Sequence, residues 1–206
     1  MRRGGERLVL THGCLLFRHE GSEAFFSESL SIVEVDTDER IAALVSFDLD
    51  DFDAAFEELD ARYLAGEAAA HAHIWTAMTG VQAAYNRHEA LPTTADWVNI
   101  DHRRGGRAFA PGEMIPYTRA TYDVAPNVKG HVEAVHPLDN VGSVITVIIT
   151  GTSQDGFAFE WREIGLFAFE GNMVCRLEVF DEADLDAALA RLKELQSPTP
   201  RRDSVL

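Results

Sequence analysis

Asp101 and His102 are adjacent ionisable residues that could exchange a proton with a bound molecule. A carboxylate or imidazole becomes an effective general acid or base when its surroundings bring its pKa toward the working pH. Residues 97–103 alternate as a strand, so the two side chains point to opposite faces and at most one faces a given cavity. Asp101 is the candidate base and His102 its competitor. The alternative for Asp101 is an ion pair with Arg103 or Arg104 at the rim.

A second group of candidates shares one face of a predicted helix. At helical spacing along that face lie His71, Trp75, Met78, Gln82 and Tyr85. An aromatic stripe of this kind can be ordinary core, but a core would have to satisfy the polar groups within it. The mixture favours a partly polar cavity, in which these residues bind a ligand and Tyr85 donates a hydrogen bond to a ligand carbonyl.

Two further candidates lie on other predicted elements. Glu178 belongs to a strand in which Leu177 and Val179 take the other face. If those two apolar residues formed a dimer surface, Glu178 would point inward as a second cavity carboxylate. Tyr117 lies on a short helix, where it would either line the mouth of the cavity or be buried as a lid.

No motif in the sequence indicates a metal, a nucleotide or a covalent nucleophile. We find no Gly-x-Ser-x-Gly stretch, no glycine-rich phosphate loop after a strand, and no His and Cys residues at ligand spacing. Cys14 and Cys175 lie inside apolar runs and are expected to be small buried side chains. We therefore expect no metal site and no cofactor.

The elements that must position these residues follow the order α-β-α-β-β-β-β-α. Periodicity and turn signals predict helices at 67–88 and 111–122, a strand at 97–103, and four strands at 128–135, 141–150, 157–169 and 173–180, before a last helix. One long helix, one strand, a short helix and a run of long strands form an α+β pattern.

The N-terminal part of the chain repeats the C-terminal part in pattern. Residues 47–56 recur as residues 180–189, which lie 133 positions later, and both read Phe-Asp-x-x-Asp-x-Asp-Ala-Ala. Three strand-like segments precede each copy, and Asp48 and Asp181 are expected to cap the helices that follow. The pattern predicts a half-repeat of three strands and an Asp-capped helix in residues 1–65.

Several stretches of the second part resemble the SnoaL-like families of the nuclear-transport-factor-two-like superfamily. Residues 85–89 stand where the first helix of those families ends in an aromatic-Asn-Arg-x-acid stretch. Residues 97–103 look like the first strand of those families, while 157–169 and 173–180 look like the last two. The resemblance covers about residues 67–195.

The resemblance implies a cone fold, in which a strongly bent antiparallel sheet wraps against helices around a cavity for a small apolar ligand. It also implies a homodimer and, by analogy with polyketide cyclases and ketosteroid isomerases, a carboxylate on the cavity wall. The predicted domains are a partial repeat at 1–65, a complete cone domain at 66–196 and a disordered tail at 197–206. Fold alone does not give function, because one fold can serve unrelated activities.

The charge of the chain restricts its partners. Its 206 residues include 34 Asp and Glu against 18 Lys and Arg, a formal net charge of −16. Such a chain repels phosphate backbones, and its basic cluster at 103–107 is short, so we expect no nucleic-acid partner. No apolar run reaches the ~18 residues that a spanning helix needs, which favours a cytoplasmic protein without a membrane partner.

Two classes of function fit these observations, and the sequence leaves open whether the chain is an enzyme. The first is a cone domain that binds a small hydrophobic ligand or acts as a dimerising accessory module, without catalysis. The second is a cofactor-free isomerase, cyclase or hydratase, with Asp101 or His102 as general base and Tyr85 as hydrogen-bond donor. An acid or base inside an apolar pocket, next to a second donor, would distinguish the two.

Overall fold

The computed structural model describes residues 2–3, 5–17, 25–106, 108–110 and 113–197. The strands are β1 (Arg2–Arg3), β2 (Leu8–Phe17), β3 (Phe25–Val35), β4 (Ile41–Phe47), β5 (Thr93–Asp101), β6 (Ala108–Phe109), β7 (Lys129–Leu138), β8 (Gly142–Thr152), β9 (Ala158–Glu170) and β10 (Met173–Asp181). The helices are α1 (Phe52–Ala65), α2 (Ala72–Asn86), α3 (Met114–Val124) and α4 (Leu185–Gln196), with short 3-10 turns before α2 and α4. The predicted α+β class is confirmed. Among the described helices, none is long and apolar enough to cross a membrane.

The strands form one mixed sheet in the order β4-β3-β2-β1-β7-β8-β9-β10-β5-β6. Most neighbours are antiparallel, as predicted, but β1 pairs with β7 and β10 pairs with β5 in parallel. The sheet is thus mixed rather than purely antiparallel. Each parallel pair joins strands that are distant in the sequence, which no hairpin connects.

The C-terminal part of the sheet curves around α2 and α3. Bulges interrupt the register of β7 and of β10, and bulges bend the strands that contain them. Met78 and Val81 of α2 pack in one buried cluster with Phe167 of β9 and Leu177 of β10. The sheet therefore wraps against helices, as the resemblance to cone folds implies.

Several predicted boundaries move by a few residues. Helix α2 begins at Ala72 rather than at residue 67, and β5 begins at Thr93 rather than at residue 97. The predicted start of α3, Pro111, lies outside the described residues. Helix α3 ends at Val124, two residues beyond the prediction.

The N-terminal strands and helix reproduce the order of the C-terminal ones, because β2-β3-β4-α1 matches β8-β9-β10-α4. Leu10 of β2 pairs with Ile32 of β3, and Val144 of β8 pairs with Leu166 of β9. Each residue of the second pair lies 134 positions after its counterpart in the first. The apolar side chains that pack with α1 and α4 also match at offsets of 134 or 133: Leu10, Leu30, Ile32, Phe47, Ala55 and Leu59 for α1, and Val144, Ile164, Leu166, Phe180, Ala188 and Leu192 for α4. These matches follow the predicted pattern, and the half-repeat stays a prediction.

The two parts of the chain share one core. Tyr63 of α1 meets Trp75 of α2 edge to face, with ring centroids 4.9 Å apart. Leu10 and Leu59 belong to the same buried cluster as Trp75. The predicted boundary at residues 65 and 66 coincides with the end of α1, but core packing continues across it. The predicted tail lies outside the described residues, apart from Ser197.

The helices begin later than the aspartates that were expected to cap them. Asp51 precedes α1 and Asp184 precedes α4, and neither makes a capping hydrogen bond through its side chain. Asp48 lies three residues before Asp51, and Asp181 precedes the 3-10 turn before α4 without a capping side-chain hydrogen bond, so the predicted caps are wrong. Burial of the helix faces against the sheet, rather than capping, accounts for where the helices form.

The two cysteines differ from their predicted burial. Cys14 is exposed and Cys175 is partly buried. Cys14 lies in the half of β2 beyond the side chains that pack against α1. An apolar run is therefore not enough to predict burial at the free end of a strand.

Candidate functional site

A cavity of about 270 Å³ lies between the curved sheet and helices α2 and α3. Strands β5 to β10 and both helices supply its wall, in which apolar side chains such as Met78, Val147 and Phe167 predominate. The polar residues that also line it include Gln82, Tyr85, Asn99, Asp101, Arg103 and Glu163. An apolar hollow with a few convergent polar groups is typical of small-molecule sites.

Strand β5 supplies one polar side of this cavity. Asn99 and Asp101 point into the cavity. His102, the residue after Asp101, points to the opposite face of the strand. Pairing with β10 fixes this orientation, because Asn99 lies opposite Leu177 and Asp101 lies opposite Val179. Both of those β10 residues also line the cavity.

The turn after β5 folds Arg103 back onto Asp101. Gly105 has a φ of +86°, and a Cβ at Gly106 would collide with the carbonyl oxygen of Asp101, so the turn needs glycine at both positions. The backbone N–H, Nε and Nη2 of Arg103 donate to the Asp101 carboxylate over 3.0, 2.9 and 2.8 Å. Nη1 of Arg103 donates to Glu163 of β9 over 2.7 Å. One guanidinium thus joins two carboxylates at the cavity wall.

These two carboxylates differ in basicity. Burial by itself raises the pKa of Asp101, but the hydrogen bonds and charge of Arg103 outweigh burial and hold that pKa below its ordinary value. Burial raises the pKa of Glu163, Arg103 opposes this, and the negative charge of Asp101 adds to the rise. Glu163 is therefore better suited than Asp101 to exchange a proton inside the cavity.

The same cluster bears on whether a metal ion could bind. In the described part of the chain, no three His, Cys, Asp or Glu side chains are arranged as a metal site. The position between Asp101 and Glu163, where a cation would bind, is taken by the guanidinium of Arg103. The two carboxylates are thus arranged around the guanidinium of Arg103 rather than around a metal ion.

Helix α2 presents Gln82 and Tyr85 to the cavity. Burial raises the pKa of Tyr85, so its phenol stays protonated and can donate a hydrogen bond. The ring meets that of Tyr122 edge to face, with centroids 5.6 Å apart. The next residue, Asn86, accepts from the Gly130 N–H over 2.8 Å and donates to the Gly130 carbonyl over 3.1 Å. These two hydrogen bonds to β7 hold the end of α2, and with it Tyr85, against the sheet.

Five of the residues predicted from the sequence line this cavity: Met78, Gln82, Tyr85, Asp101 and Tyr117. Asp101 lines the cavity and also forms the ion pair with Arg103 that the sequence offered as the alternative, while its role as a base stays a prediction. Tyr117 is 52% exposed while it lines the cavity, which places it at the mouth rather than under a lid.

His71 and Trp75 lie outside the cavity wall. Trp75 is fully buried and packs against Tyr63, as a core residue. His71 belongs to the 3-10 turn before α2, and its Nδ1 donates to Oδ1 of Asn140 over 3.0 Å. The cavity thus uses only the C-terminal half of the predicted helix face, because the N-terminal half packs against α1.

A second ionic cluster lies on the opposite face of the sheet, against α4. Glu178 is fully buried, and its carboxylate accepts hydrogen bonds from three side chains. His102 Nε2 and Arg176 Nη1 each donate over 2.7 Å, and Arg191 Nε of α4 donates over 3.1 Å. Burial opposes ionisation, but these donors outweigh it and lower the pKa of Glu178.

The expected inward orientation of Glu178 and the candidacy of His102 for the cavity need correction. Leu177 and Val179 line the cavity instead of forming an outer surface, so Glu178 between them faces outward. His102 stacks on Phe180 at 4.4 Å on the same outer side. Neither residue reaches the cavity.

Glu163 and Asn99 are cavity residues that the sequence pattern did not single out, and Arg103 was considered only as a partner of Asp101. Alternation in β9 places Glu163 on the face opposite Arg162, which pairs with Glu160 on the outer face. That alternation was visible in the sequence. Which of the two faces would be inside was not, because it depends on how the sheet packs against α2.

No protein-family model matches the chain, and no curated protein matches it. AclR, a proposed hydroxylase from Streptomyces galilaeus, is similar in structure at a TM-score of 0.45 and 13% identity, over 59% of this chain and 92% of AclR. A protein of ketosteroid isomerase-like fold from Catenulispora acidiphila is similar at a TM-score of 0.42 and 17% identity, over 55% of this chain and 89% of its own.

A third similar structure is a proposed SnoaL-like polyketide cyclase from Jannaschia sp.. Its TM-score is 0.38 at 16% identity, and the similarity covers 68% of this chain and 91% of that one. These three solved structures include proteins described as SnoaL-like and as ketosteroid isomerase-like in fold.

Proposed function

We propose that the cavity binds a small, largely apolar molecule, whose polar end lies near Asp101, Arg103 and Glu163. The observation that carries this proposal is the hollow itself, about 270 Å³ with an apolar wall and one ionic cluster. Protein interiors are close-packed, and an unfilled hollow costs stability. A hollow of this size with polar groups directed into it is therefore best explained by a ligand.

Titration with Nile red, a neutral apolar dye whose emission increases in apolar surroundings, tests this proposal. We expect saturable binding at one site per chain. Val147→Phe should weaken binding at least about tenfold, because the larger side chain fills part of the cavity. Thr152→Phe is the matched control, since it lies on the same strand but on the opposite face. Equal dye affinity in Val147→Phe and the wild type would refute binding in this cavity.

A second candidate function is cofactor-free proton transfer, such as an isomerisation, cyclisation or hydration. Glu163 favours it, because its pKa is raised inside an apolar cavity that the Tyr85 phenol also lines. A carboxylate with a raised pKa removes protons more readily than an ordinary one. In this candidate Glu163 is the general base, while Tyr85 donates a hydrogen bond to the oxygen on which negative charge develops.

The elimination of 5-nitrobenzisoxazole tests the second candidate without knowledge of the natural substrate. A base removes the ring C–H proton while the N–O bond breaks, and a coloured cyanophenolate forms. We expect a rate that rises with pH around a midpoint above 4.5, the ordinary pKa of a Glu carboxyl. Glu163→Gln should lower the rate by about 100-fold, the low end of general-base contributions. A full rate in that variant would rule out Glu163 as the base.

A further inference from the structure

We propose that the cavity ligand is neutral and carries a carbonyl oxygen next to an N–H or O–H group, and that Asn99 recognises this pair of groups. The inference rests on the proposed binding function, because it names the chemical class of the ligand for the same cavity. It adds a specificity residue that the ionic cluster does not include.

The side chain of Asn99 is the main observation. Asn99 is 2% exposed, and neither its Nδ2 nor its Oδ1 has a hydrogen-bond partner in the described part of the chain. A buried amide without partners is costly, and such groups are rare in native proteins. An Asn side chain offers two N–H donors and one acceptor oxygen at the same end. A ligand that presents an acceptor beside a donor can bind both the Nδ2 and the Oδ1 of Asn99 at once.

The neighbours of Asn99 in the sheet cannot satisfy it. Asn99 lies opposite Leu177 on β10 and opposite Phe109 on β6, and both of these side chains are apolar. All three residues line the cavity. The cavity side is therefore where a partner for the amide can approach.

Gln82 on the facing helix supports the same class of ligand. Its Oε1 is buried without a hydrogen-bond partner among the described residues, and it too lines the cavity. It can accept a second hydrogen bond from a ligand donor.

The ionic cluster indicates that the ligand is neutral. Arg103 donates from Nε and Nη2 to Asp101 and from Nη1 to Glu163, so both of its terminal nitrogens already bind carboxylates. An anionic ligand would have to displace one of these carboxylates, and desolvating an ion that lacks a countercharge is unfavourable. Neutral hydrogen-bonding groups match the unsatisfied amides instead.

Two bicyclic compounds provide the test, with affinity measured by calorimetry. Quinolin-2(1H)-one has a carbonyl next to an N–H, whereas its N-methyl derivative keeps the carbonyl and loses the donor. We expect the N–H compound to bind at least about tenfold more tightly, since one net hydrogen bond is worth roughly that factor. We also expect it to shift the side-chain amide signals of Asn99 in nitrogen–proton NMR spectra.

Asn99→Leu removes the amide at nearly constant volume. We expect this variant to lose the preference for the N–H compound, to bind both compounds more weakly because their carbonyl loses the Asn99 donor, and to unfold at no lower temperature than the wild type. Thr94→Val is the matched control. Thr94 also lies on β5 and its Oγ1 is buried without a partner among the described residues, but it does not line the cavity. It should leave both affinities unchanged.

The outcomes separate this inference from the proposed function. If the two compounds bind equally, or if Asn99→Leu keeps the preference, the inference is wrong while binding in the cavity stands. If Nile red and both compounds fail to bind, the proposed function is wrong and the inference falls with it. A lower unfolding temperature in Asn99→Leu would mean that the amide has a structural role, which also contradicts the inference.

Discussion

Arg103 makes the two carboxyls of the cavity unequal. Nε, Nη2 and the backbone N–H of Arg103 donate to Asp101, whose pKa is thereby lowered, whereas Glu163 accepts only from Nη1 and burial raises its pKa. Sequence reasoning reached Asp101, because a carboxylate at the end of a strand is visible as a pattern. It could not reach Glu163, because desolvation depends on contacts between segments that are far apart in the chain.

Replacement of Asp101 by Asn tests this electrostatic coupling. The negative charge of Asp101 raises the pKa of Glu163, and Arg103 lowers it. Asp101→Asn removes the first effect and strengthens the second, so the pKa of Glu163 should fall. Carbon NMR titration of the glutamate carboxyls measures it, with Glu160→Gln on the outer face as control. An unchanged or higher pKa of Glu163 in Asp101→Asn would contradict the coupling.

Glu178 gives the stability of the protein a pH dependence of known sign. Its pKa is lowered in the folded state, so it contributes stability above the ordinary carboxyl pKa, and this contribution is lost as the pH falls through the folded value. Glu178→Gln should cost about 3 kcal/mol at pH 7, because Arg176 and Arg191 lose their buried partner. Urea unfolding at pH 7 and at pH 3 measures both effects. A difference between variant and wild type that stays as large at pH 3 would refute this assignment.

At the scale of elements, the order of helices and strands could be predicted because it follows from local periodicity. The face of each strand could not, as Glu178 illustrates. Cross-strand register places Val45 beside Ile32 just as it places Glu178 beside Leu166. Val45 packs in the cluster that contains α1, so its match in the repeat belongs against α4. This correspondence becomes visible only when the packing of α1 and α4 is known, so the sequence alone did not place Glu178 outside the cavity.

The core role of α2 can be tested at Trp75. Because this side chain is fully buried, Trp75→Ala should lower the free energy of unfolding by about 3–5 kcal/mol. Trp161→Ala is the control, since Trp161 is 38% exposed and should lose much less. Chemical unfolding followed by circular dichroism measures both. A loss below about 1 kcal/mol at Trp75 would mean that it lines an open pocket rather than the core.

At the scale of the whole molecule, the two parts of the sheet are covered differently. The cavity-lining face of β8–β10 lies under α2 and α3. The matching face of β2–β4, opposite α1, exposes Leu15 and Leu44 by 59% and 62%. Exposed apolar surface of this kind is characteristic of interaction sites. Homodimer formation, which the sequence resemblance implies, stays a prediction, and this face is the surface that we assign to it.

Leu44→Glu tests that assignment. We expect the wild type to be a dimer and the variant to be a monomer, because a charge within an apolar interface is desolvated without a partner. Light scattering during size-exclusion chromatography measures the mass of each. Leu49→Glu, an exposed apolar site outside the strands, is the control. A monomeric wild type, or a dimeric Leu44→Glu, would contradict dimerisation through this face.

Binding of a small molecule inside the cavity is the claim on which the proposed functions depend. The most direct measurement is a set of nuclear Overhauser contacts between bound quinolin-2(1H)-one and the methyl groups of the protein. We predict contacts with Met78, Val147 and Leu177, which line the cavity from a helix and two strands. Contacts with Leu15 and Leu44 on the exposed face, or no contacts at saturating ligand, would contradict the claim.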